Sequence, residues 1–126
     1  MPTKQLRVLA VDDDLINLKL LKSMLMKTGY VSEVVEAKNG ADAIGELKAA
    51  SSDFDVVLLD IIMPVMGGLD MLRVLRADDS LKQPPVIVLT TDETKKSEAL
   101  EAGANGFIMK PVREKDLSAK ISQLIL

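Results

Sequence analysis

The chain has 126 residues, 48% hydrophobic and 28% charged, a length and balance typical of one globular domain rather than of a disordered or fibrous protein. Its formal net charge of −3 argues against a basic surface that would hold a nucleic acid through its phosphates. No cysteine and no histidine is present, which excludes disulfides, thiolate metal sites and the commonest general base and zinc ligand.

Five short apolar runs predict five β-strands. Three of them, the first, third and fourth, consist almost entirely of valine, leucine and isoleucine, as in strands that are covered on both faces of a parallel sheet. The predicted strands span residues 6–11, 31–35, 56–59, 86–89 and 107–109.

An amphipathic stretch follows each strand and predicts a helix. In the first, leucine recurs every three or four residues from Leu15 to Leu25, with Asp14 as a candidate N-cap and Gly29 as a C-cap glycine. The other helices are predicted over residues 41–49, 68–75, 94–102 and 114–124, and the fourth, with few large apolar residues, is expected to be the loosest. The alternation of strand and helix predicts an α/β fold with right-handed crossovers and helices on both faces of the sheet.

Polar side chains stand where the predicted strands end. Asp12 and Asp13 follow the first strand, Asp60 ends the third, Thr90 follows the fourth and Lys110 follows the fifth. Each has an ordinary structural interpretation when taken alone, as a loop, cap or strand-end residue. In an open parallel sheet, however, ligands bind beyond the carboxyl ends of the strands, so the joint pattern predicts a site there.

Asp60 lies inside the apolar stretch "VVLLDIIMP", where an unpaired carboxylate is costly. Carboxylates at roughly 4 Å repel by about 4 kcal/mol at an effective dielectric constant of about 20. One lysine offsets only one charge, so the cluster needs a divalent cation or a raised carboxylate pKa. Two carboxylates, a backbone carbonyl and waters suit Mg²⁺, and with a hydroxyl and an amine nearby the fitting reaction is phosphoryl transfer onto Asp60.

Four ordered motifs carry a resemblance to a known family. They are "VLAVDDD", "DVVLLDIIMPVMGG", "PPVIVLTTDE" and "AGANGFIMKP". On these segments the sequence resembles the receiver domain of two-component response regulators, the CheY-like family. The resemblance covers essentially residues 1–126 as a single receiver domain. It implies a flavodoxin-like doubly wound (βα)5 fold, with a five-stranded parallel sheet of strand order 2-1-3-4-5.

The resemblance also implies a role for each residue of the acidic site. Asp60 would accept the phosphoryl group, and Asp13 and Asp60 would ligate Mg²⁺ directly. Asp12 would contribute through the waters of the metal, and the backbone carbonyl of Ile62 would be the remaining protein ligand. Lys110 would bind a phosphate oxygen.

A conformational switch is the second implication of the resemblance. Thr90 would donate its hydroxyl to the phosphoryl group, and Phe107, at the position of the family's aromatic switch residue, would turn inward as Thr90 moves. The surface of the fourth helix, fifth strand and fifth helix would then change. The donor would be a phosphohistidine on a sensor histidine kinase or phosphotransfer protein, necessarily another molecule, since this chain has no histidine. The downstream target is not specified, and the chain is expected to be a signalling module rather than an enzyme.

Four positions depart from the usual pattern of the family. Gly67 replaces an acidic residue, and Ile62 offers no polar side chain to a phosphate or an attacking water. Thr91 is bulkier than the small residue common after the switch threonine, and Phe107 lacks a hydroxyl. We therefore expect slow phosphorylation by small molecules and a long-lived phosphoryl form.

Two other functions fit parts of the pattern. A haloacid-dehalogenase-like phosphatase also uses an aspartate nucleophile. Its signature, Asp-x-Asp-x-Thr or Val, requires threonine or valine at the fifth position, where this sequence has Ile16, and 126 residues leave little room for a substrate cap. The other is a receiver-like interaction module that takes no phosphate. The start of the sequence lacks the apolar core of a signal peptide and no apolar run approaches about 18 residues, so a cytoplasmic location without membrane insertion is expected.

Overall fold

The five predicted strands form one parallel sheet in the order β2-β1-β3-β4-β5, as the resemblance implied. The computed structural model describes residues 5–49 and 53–125. The strands are β1 (Leu6–Val11), β2 (Val31–Ala37), β3 (Val56–Asp60), β4 (Val86–Thr90) and β5 (Gly106–Met109). The helices are α1 (Leu15–Lys27), α2 (Gly40–Lys48), α3 (Gly68–Ala77), α4 (Lys96–Ala102) and α5 (Glu114–Ile125).

Helices cover both faces of the sheet. Apolar residues of α1 and α5 pack with one set of strand side chains, and those of α2, α3 and α4 pack with the opposite set. Every residue of β3 and β4 is buried, which confirms the prediction from their continuous apolar sequences. The central position of β3, between β1 and β4, brings its last residue among the loops that leave its neighbours. No helix in the described part of the chain has both the length and the apolar character needed to cross a membrane.

The strand ends differ from the sequence prediction by one or two residues. β2 continues to Ala37, because Ala37 pairs with Val11 and its carbonyl accepts a hydrogen bond from the backbone N–H of Asp12 at 3.0 Å. β3 and β4 include the polar residues Asp60 and Thr90, which pair with their neighbours although they end the apolar runs. The sheet therefore reaches directly into the predicted site.

The predicted caps of the first helix are present. The Asp14 carboxylate accepts hydrogen bonds from the backbone N–H groups of Ile16 at 2.9 Å and Asn17 at 3.5 Å, as an N-cap does. Gly29 follows the C-cap residue Thr28 with φ of +82°, a left-handed conformation that glycine adopts at little cost. The chain can thus turn sharply from α1 into β2.

The fourth helix begins later than predicted. Residues 93–95 form a short 3-10 helix, and α4 starts only at Lys96. Asp92 explains the difference, since its side chain accepts from the backbone N–H of Thr94 and its carbonyl accepts from Lys95 at 3.2 Å, the tighter i to i+3 pattern. Ala99 is the one residue of α4 that is buried, in agreement with the expected weak anchoring of this helix.

Candidate functional site

The Asp60 carboxylate lies at the carboxyl edge of the sheet and has a cationic partner. Asp60 is 8% exposed, and its Oδ1 accepts a hydrogen bond from Lys110 Nζ at 3.1 Å. Lys110 follows directly after β5, and its backbone N–H donates to the Thr90 carbonyl at 2.8 Å. The ion pair therefore joins two strands that are separated by β4, as the convergence of strand ends predicted.

Asp12 shares the same lysine. Its Oδ2 lies 3.4 Å from Lys110 Nζ, and its Oδ1 accepts from the backbone N–H of Asp14 at 2.9 Å. With 2% of its surface exposed, Asp12 is the most buried carboxylate of the site. These two hydrogen bonds fix its orientation and leave lone pairs free for a further cation or its waters.

Burial and the neighbouring charges shift the pKa values of Asp60 and Lys110. Burial raises the pKa of Asp60 above its usual range, reinforced by the Asp12 charge and opposed by the hydrogen bond and charge of Lys110. For Lys110, burial alone lowers the pKa, but the hydrogen bonds and charges of Asp60 and Asp12 outweigh that effect and leave the pKa above its usual value. The ammonium form is therefore stable, while the Asp60 carboxylate remains under-compensated.

The donor set fits a hard divalent cation. One oxygen from each of Asp12, Asp13 and Asp60 lies within 4.8 Å of the others. Lys110 is the cation that pairs with this set among the described residues, so two negative charges remain uncompensated. Asp13 is exposed and can reach an ion arriving from solvent, whereas the other two are fixed. Oxygen ligands, excess negative charge and partial solvent access are what Mg²⁺ requires.

Ile62 lies close to this set in sequence but presents an apolar side chain to solvent. The residue is 70% exposed, and its carbonyl accepts no hydrogen bond from any described residue. The carbonyl is therefore available as a ligand. The chain turns back tightly after Ile62 and returns to the end of β3 at Gly68. The approach there is so close that a Cβ atom on Gly68 would overlap the carbonyl oxygen of Asp60.

Thr90 and Phe107 lie on β4 and β5, and in the described residues neither side chain forms a hydrogen bond with a carboxylate of the site. The buried Thr90 hydroxyl accepts from the backbone N–H of Asp92 at 3.1 Å. Phe107 is half-buried against the apolar cluster beneath α2, α3 and α4, and pairs in register with Val88. The structure thus places Thr90 at the start of the segment that leads into α4, and Phe107 on the neighbouring strand.

A cavity of 380 Å³ that the sequence did not indicate opens beside Lys110. Leu20, Met24 and Val112 supply much of its apolar wall, and Thr91 and Asp12 lie at its polar edge. Thr91 is exposed and lines this cavity together with Lys110. The slow phosphorylation expected from the bulk of Thr91 stays a prediction.

The fold and the site together define the class of protein. Five parallel strands in the order β2-β1-β3-β4-β5 with helices on both faces form a doubly wound α/β module of flavodoxin-like topology, and this one carries an acidic cluster and a paired lysine at its carboxyl edge. Residues 8–122 match the family described as response regulator receiver domain. The chain belongs to this family, whose members are generally signalling modules, and is CheY-like.

Individual relatives agree with this assignment. The chain is 36% identical over 123 residues to the chemotaxis protein CheY-3 of Vibrio cholerae serotype O1, covering 96% of this chain and 92% of that one. It is 35% identical over 122 residues to the chemotaxis protein CheY1 of Helicobacter pylori, covering 95% and 97%. Among solved structures, it is similar to the receiver domain of the sensor histidine kinase PA1611 from Pseudomonas aeruginosa, with TM-score 0.82, 26% identity and coverage of 96% and 98%. That structure holds a magnesium ion coordinated in its active-site cleft.

Proposed function

We propose that this chain is a phosphoacceptor receiver, which takes a phosphoryl group onto Asp60 from a phosphohistidine of a partner kinase or phosphotransfer protein. The observation that carries the proposal is the position of Lys110 Nζ, 3.1 Å from Asp60 and 3.4 Å from Asp12, within a cluster of three carboxylates. Such a cluster is unfavourable in isolation, and it becomes favourable with a cation and a phosphoryl group bound.

In the transfer step, an Oδ oxygen of Asp60 attacks the phosphorus. The bond from phosphorus to the donor imidazole nitrogen breaks, and the electron pair stays on that nitrogen, which then takes up a proton. Lys110 binds a phosphoryl oxygen and so exchanges part of its contact with Asp60 for the new charge. When bound, Mg²⁺ supplies charge stabilisation for the phosphoryl oxygens, and Asp12, Asp13, Asp60 and the Ile62 carbonyl are the residues that would hold it.

The switch that follows connects Thr90 with α4. The Thr90 hydroxyl is held by the Asp92 N–H, and Asp92 caps the 3-10 helix that precedes α4. Donation of this hydroxyl to a phosphoryl oxygen changes the position of the Asp92 segment and favours a second arrangement of α4, β5 and α5. Phe107 then moves inward. With Ala99 as its one buried residue, α4 is the helix that moves at least cost.

The proposal also covers the extent of the domain, its role as a signalling module, its location and its partners. Residues 1–126 form a single receiver domain, and the chain is a signalling module, not a metabolic enzyme. A net charge of −3 supports action through protein partners rather than direct binding to nucleic acid. As part of the same proposal, we place the chain in the cytoplasm without membrane insertion.

The proposal is tested by incubating the purified chain with Mg²⁺ and an acyl-phosphate donor or a phosphorylated histidine kinase. The expected result is a single phosphoryl group on the wild type and none on Asp60→Ala. A chain that takes no phosphate but keeps its fold would instead be an interaction module. Multiple turnover of soluble phosphate esters would identify a phosphatase.

A further inference from the structure

The loop between β3 and α3, residues 61–67, carries the Ile62 carbonyl and is closed at its base. The backbone N–H of Gly68 donates to the carbonyl of Ile61 at 2.8 Å, so the loop leaves and re-enters the fold at nearly the same point. Within this short loop the Ile62 carbonyl makes no hydrogen bond with the described residues. Its position must therefore be set by the conformation of the rest of the loop.

A strained turn lies in the middle of this loop. The Met66 N–H donates to the Pro64 carbonyl at 2.7 Å, and Val65 between them has φ of +69°. This is a γ-turn of the rarer, positive-φ kind, in a β-branched residue for which that conformation is a true outlier. Val65 is 85% exposed, so packing of its own side chain does not offset the strain. Such a conformation persists only where surrounding contacts hold it.

The N-terminus of α2 provides that contact. The backbone N–H of Gly40 donates to the Met66 carbonyl at 2.9 Å, and in the described residues this is the one backbone hydrogen bond that joins the loop to an element other than β3 or α3. The approach is close, because a Cβ atom on Gly40 would lie 2.8 Å from the Met66 carbonyl oxygen and 2.9 Å from Met71 Cβ. Only glycine lets α2 and the loop meet in this way.

We propose that Gly40 is a positioning residue for the magnesium site: its backbone contact with Met66 holds the strained turn, and the turn in turn sets the Ile62 carbonyl. Met63, the φ-restricted Pro64 and the strained Val65 are all that separate Ile62 from Met66. A displacement of Met66 should therefore displace the Ile62 carbonyl by a similar distance. This inference rests on the proposed function, because it assigns Ile62 a ligand role there.

A matched pair of variants tests the inference. Gly40→Ala adds a methyl group against backbone, whereas Gly45→Ala makes the same change in the same helix, where a Cβ atom would meet nothing within 4 Å. Affinity for Mg²⁺ is measured by titration calorimetry, beside urea unfolding of each variant. We expect Gly40→Ala to weaken Mg²⁺ binding by about tenfold or more, a size common for groups that orient metal ligands. Gly45→Ala should leave the affinity within about twofold of the wild type, since it touches none of these groups.

Amide hydrogen exchange on the wild-type chain tests the same coupling without a mutation, should Gly40→Ala fail to fold. Because coupling between sites is reciprocal, Mg²⁺ should slow exchange of the Gly40 amide several-fold. The Asp42 amide is the control, since it is bonded within its own helix turn to the Asn39 side chain at 2.8 Å and should not respond.

The outcomes distinguish failure of the positioning role of Gly40 from failure of the proposed function. Equal Mg²⁺ affinity of the two alanine variants, or a Gly40 amide that does not respond to Mg²⁺, would overturn the positioning role while leaving the proposed function intact. A wild-type chain that binds no Mg²⁺ would overturn both.

Discussion

Neutralising Asp60 should stabilise the metal-free protein, although it removes the residue on which the proposed function depends. In the folded chain, Asp60 lies 3.1 Å from Lys110, while oxygens of Asp12 and Asp13 lie no more than 4.8 Å away. At an effective dielectric constant of about 20, the lysine attracts by about 5 kcal/mol, and the two carboxylates together repel by about 7 kcal/mol. Because Asp13 is exposed, part of that repulsion is screened, but the burial of Asp60 adds a cost of its own.

We therefore expect Asp60→Asn to raise the free energy of unfolding by about 1–2 kcal/mol at pH 7, or the melting temperature by about 3–8 °C. The asparagine carbonyl keeps an acceptor for Lys110, so the change removes charge with little loss of packing. Asp79→Asn is the control for general charge effects, since Asp79 is exposed and forms no ion pair with the described residues. Unfolding is followed by circular dichroism in urea and on heating, with a chelator present.

Added Mg²⁺ should reverse the order of the two proteins. At a free concentration about one hundred times its Kd, a ligand stabilises the folded state by about 2.7 kcal/mol, and we expect this for the wild type. Asp60→Asn should gain far less. A variant less stable than the wild type in chelator would contradict the electrostatic reasoning, as would a wild type whose stability does not respond to Mg²⁺.

Three further changes test separate parts of the account. Thr91→Ala opens the approach to Lys110, so the phosphorylated variant should lose its phosphoryl group several-fold faster than the wild type; equal rates would refute the predicted long lifetime. Val65→Gly relieves the positive φ, and after the entropy cost of glycine it should raise the free energy of unfolding by about 1 kcal/mol in urea titrations; a loss would show that the turn is not strained. The hydrogen bonds from Thr94 lower the pKa of Asp92, so its capping contribution is present above about pH 4, the ordinary range of the unfolded group, and is lost as pH falls through the lower folded pKa. Thermal unfolding of Asp92→Ala and the wild type should therefore differ at pH 7 and converge in acid, and a difference that persists in acid would mean that the carboxylate charge is not responsible.

The acidic site was predictable because its signals are local and its geometry follows from topology. Apolar runs mark the buried strands, and parallel strands bring their carboxyl ends to one edge. Asp60 and Lys110, fifty positions apart, could therefore be assigned to one site before their 3.1 Å contact was seen. The predicted start of α4 was two residues too early. The preference of Asp92 for a tight 3-10 turn competes with α-helix propensity over the same residues.

The contact between Gly40 and Met66 has no comparable signal. It joins backbone groups of segments far apart in sequence, so neither periodicity nor residue type indicates it, and the sequence prediction began the second helix one residue later. A valine at position 65 argues against a positive φ there, since β-branched residues rarely adopt one, and yet Val65 has it. Features of this kind depend on tertiary contacts that override local preference.

The central claim is that Asp60 is the residue that receives phosphate, with Mg²⁺ required. The most direct test is to treat the wild-type chain with an acyl-phosphate donor, reduce the product with borohydride, and map the modified residue by peptide mass spectrometry. We predict homoserine at position 60 when Mg²⁺ is present and unmodified aspartate when a chelator replaces it. Modification at Asp12 or Asp13 instead, or at position 60 to the same extent in chelator, would contradict it.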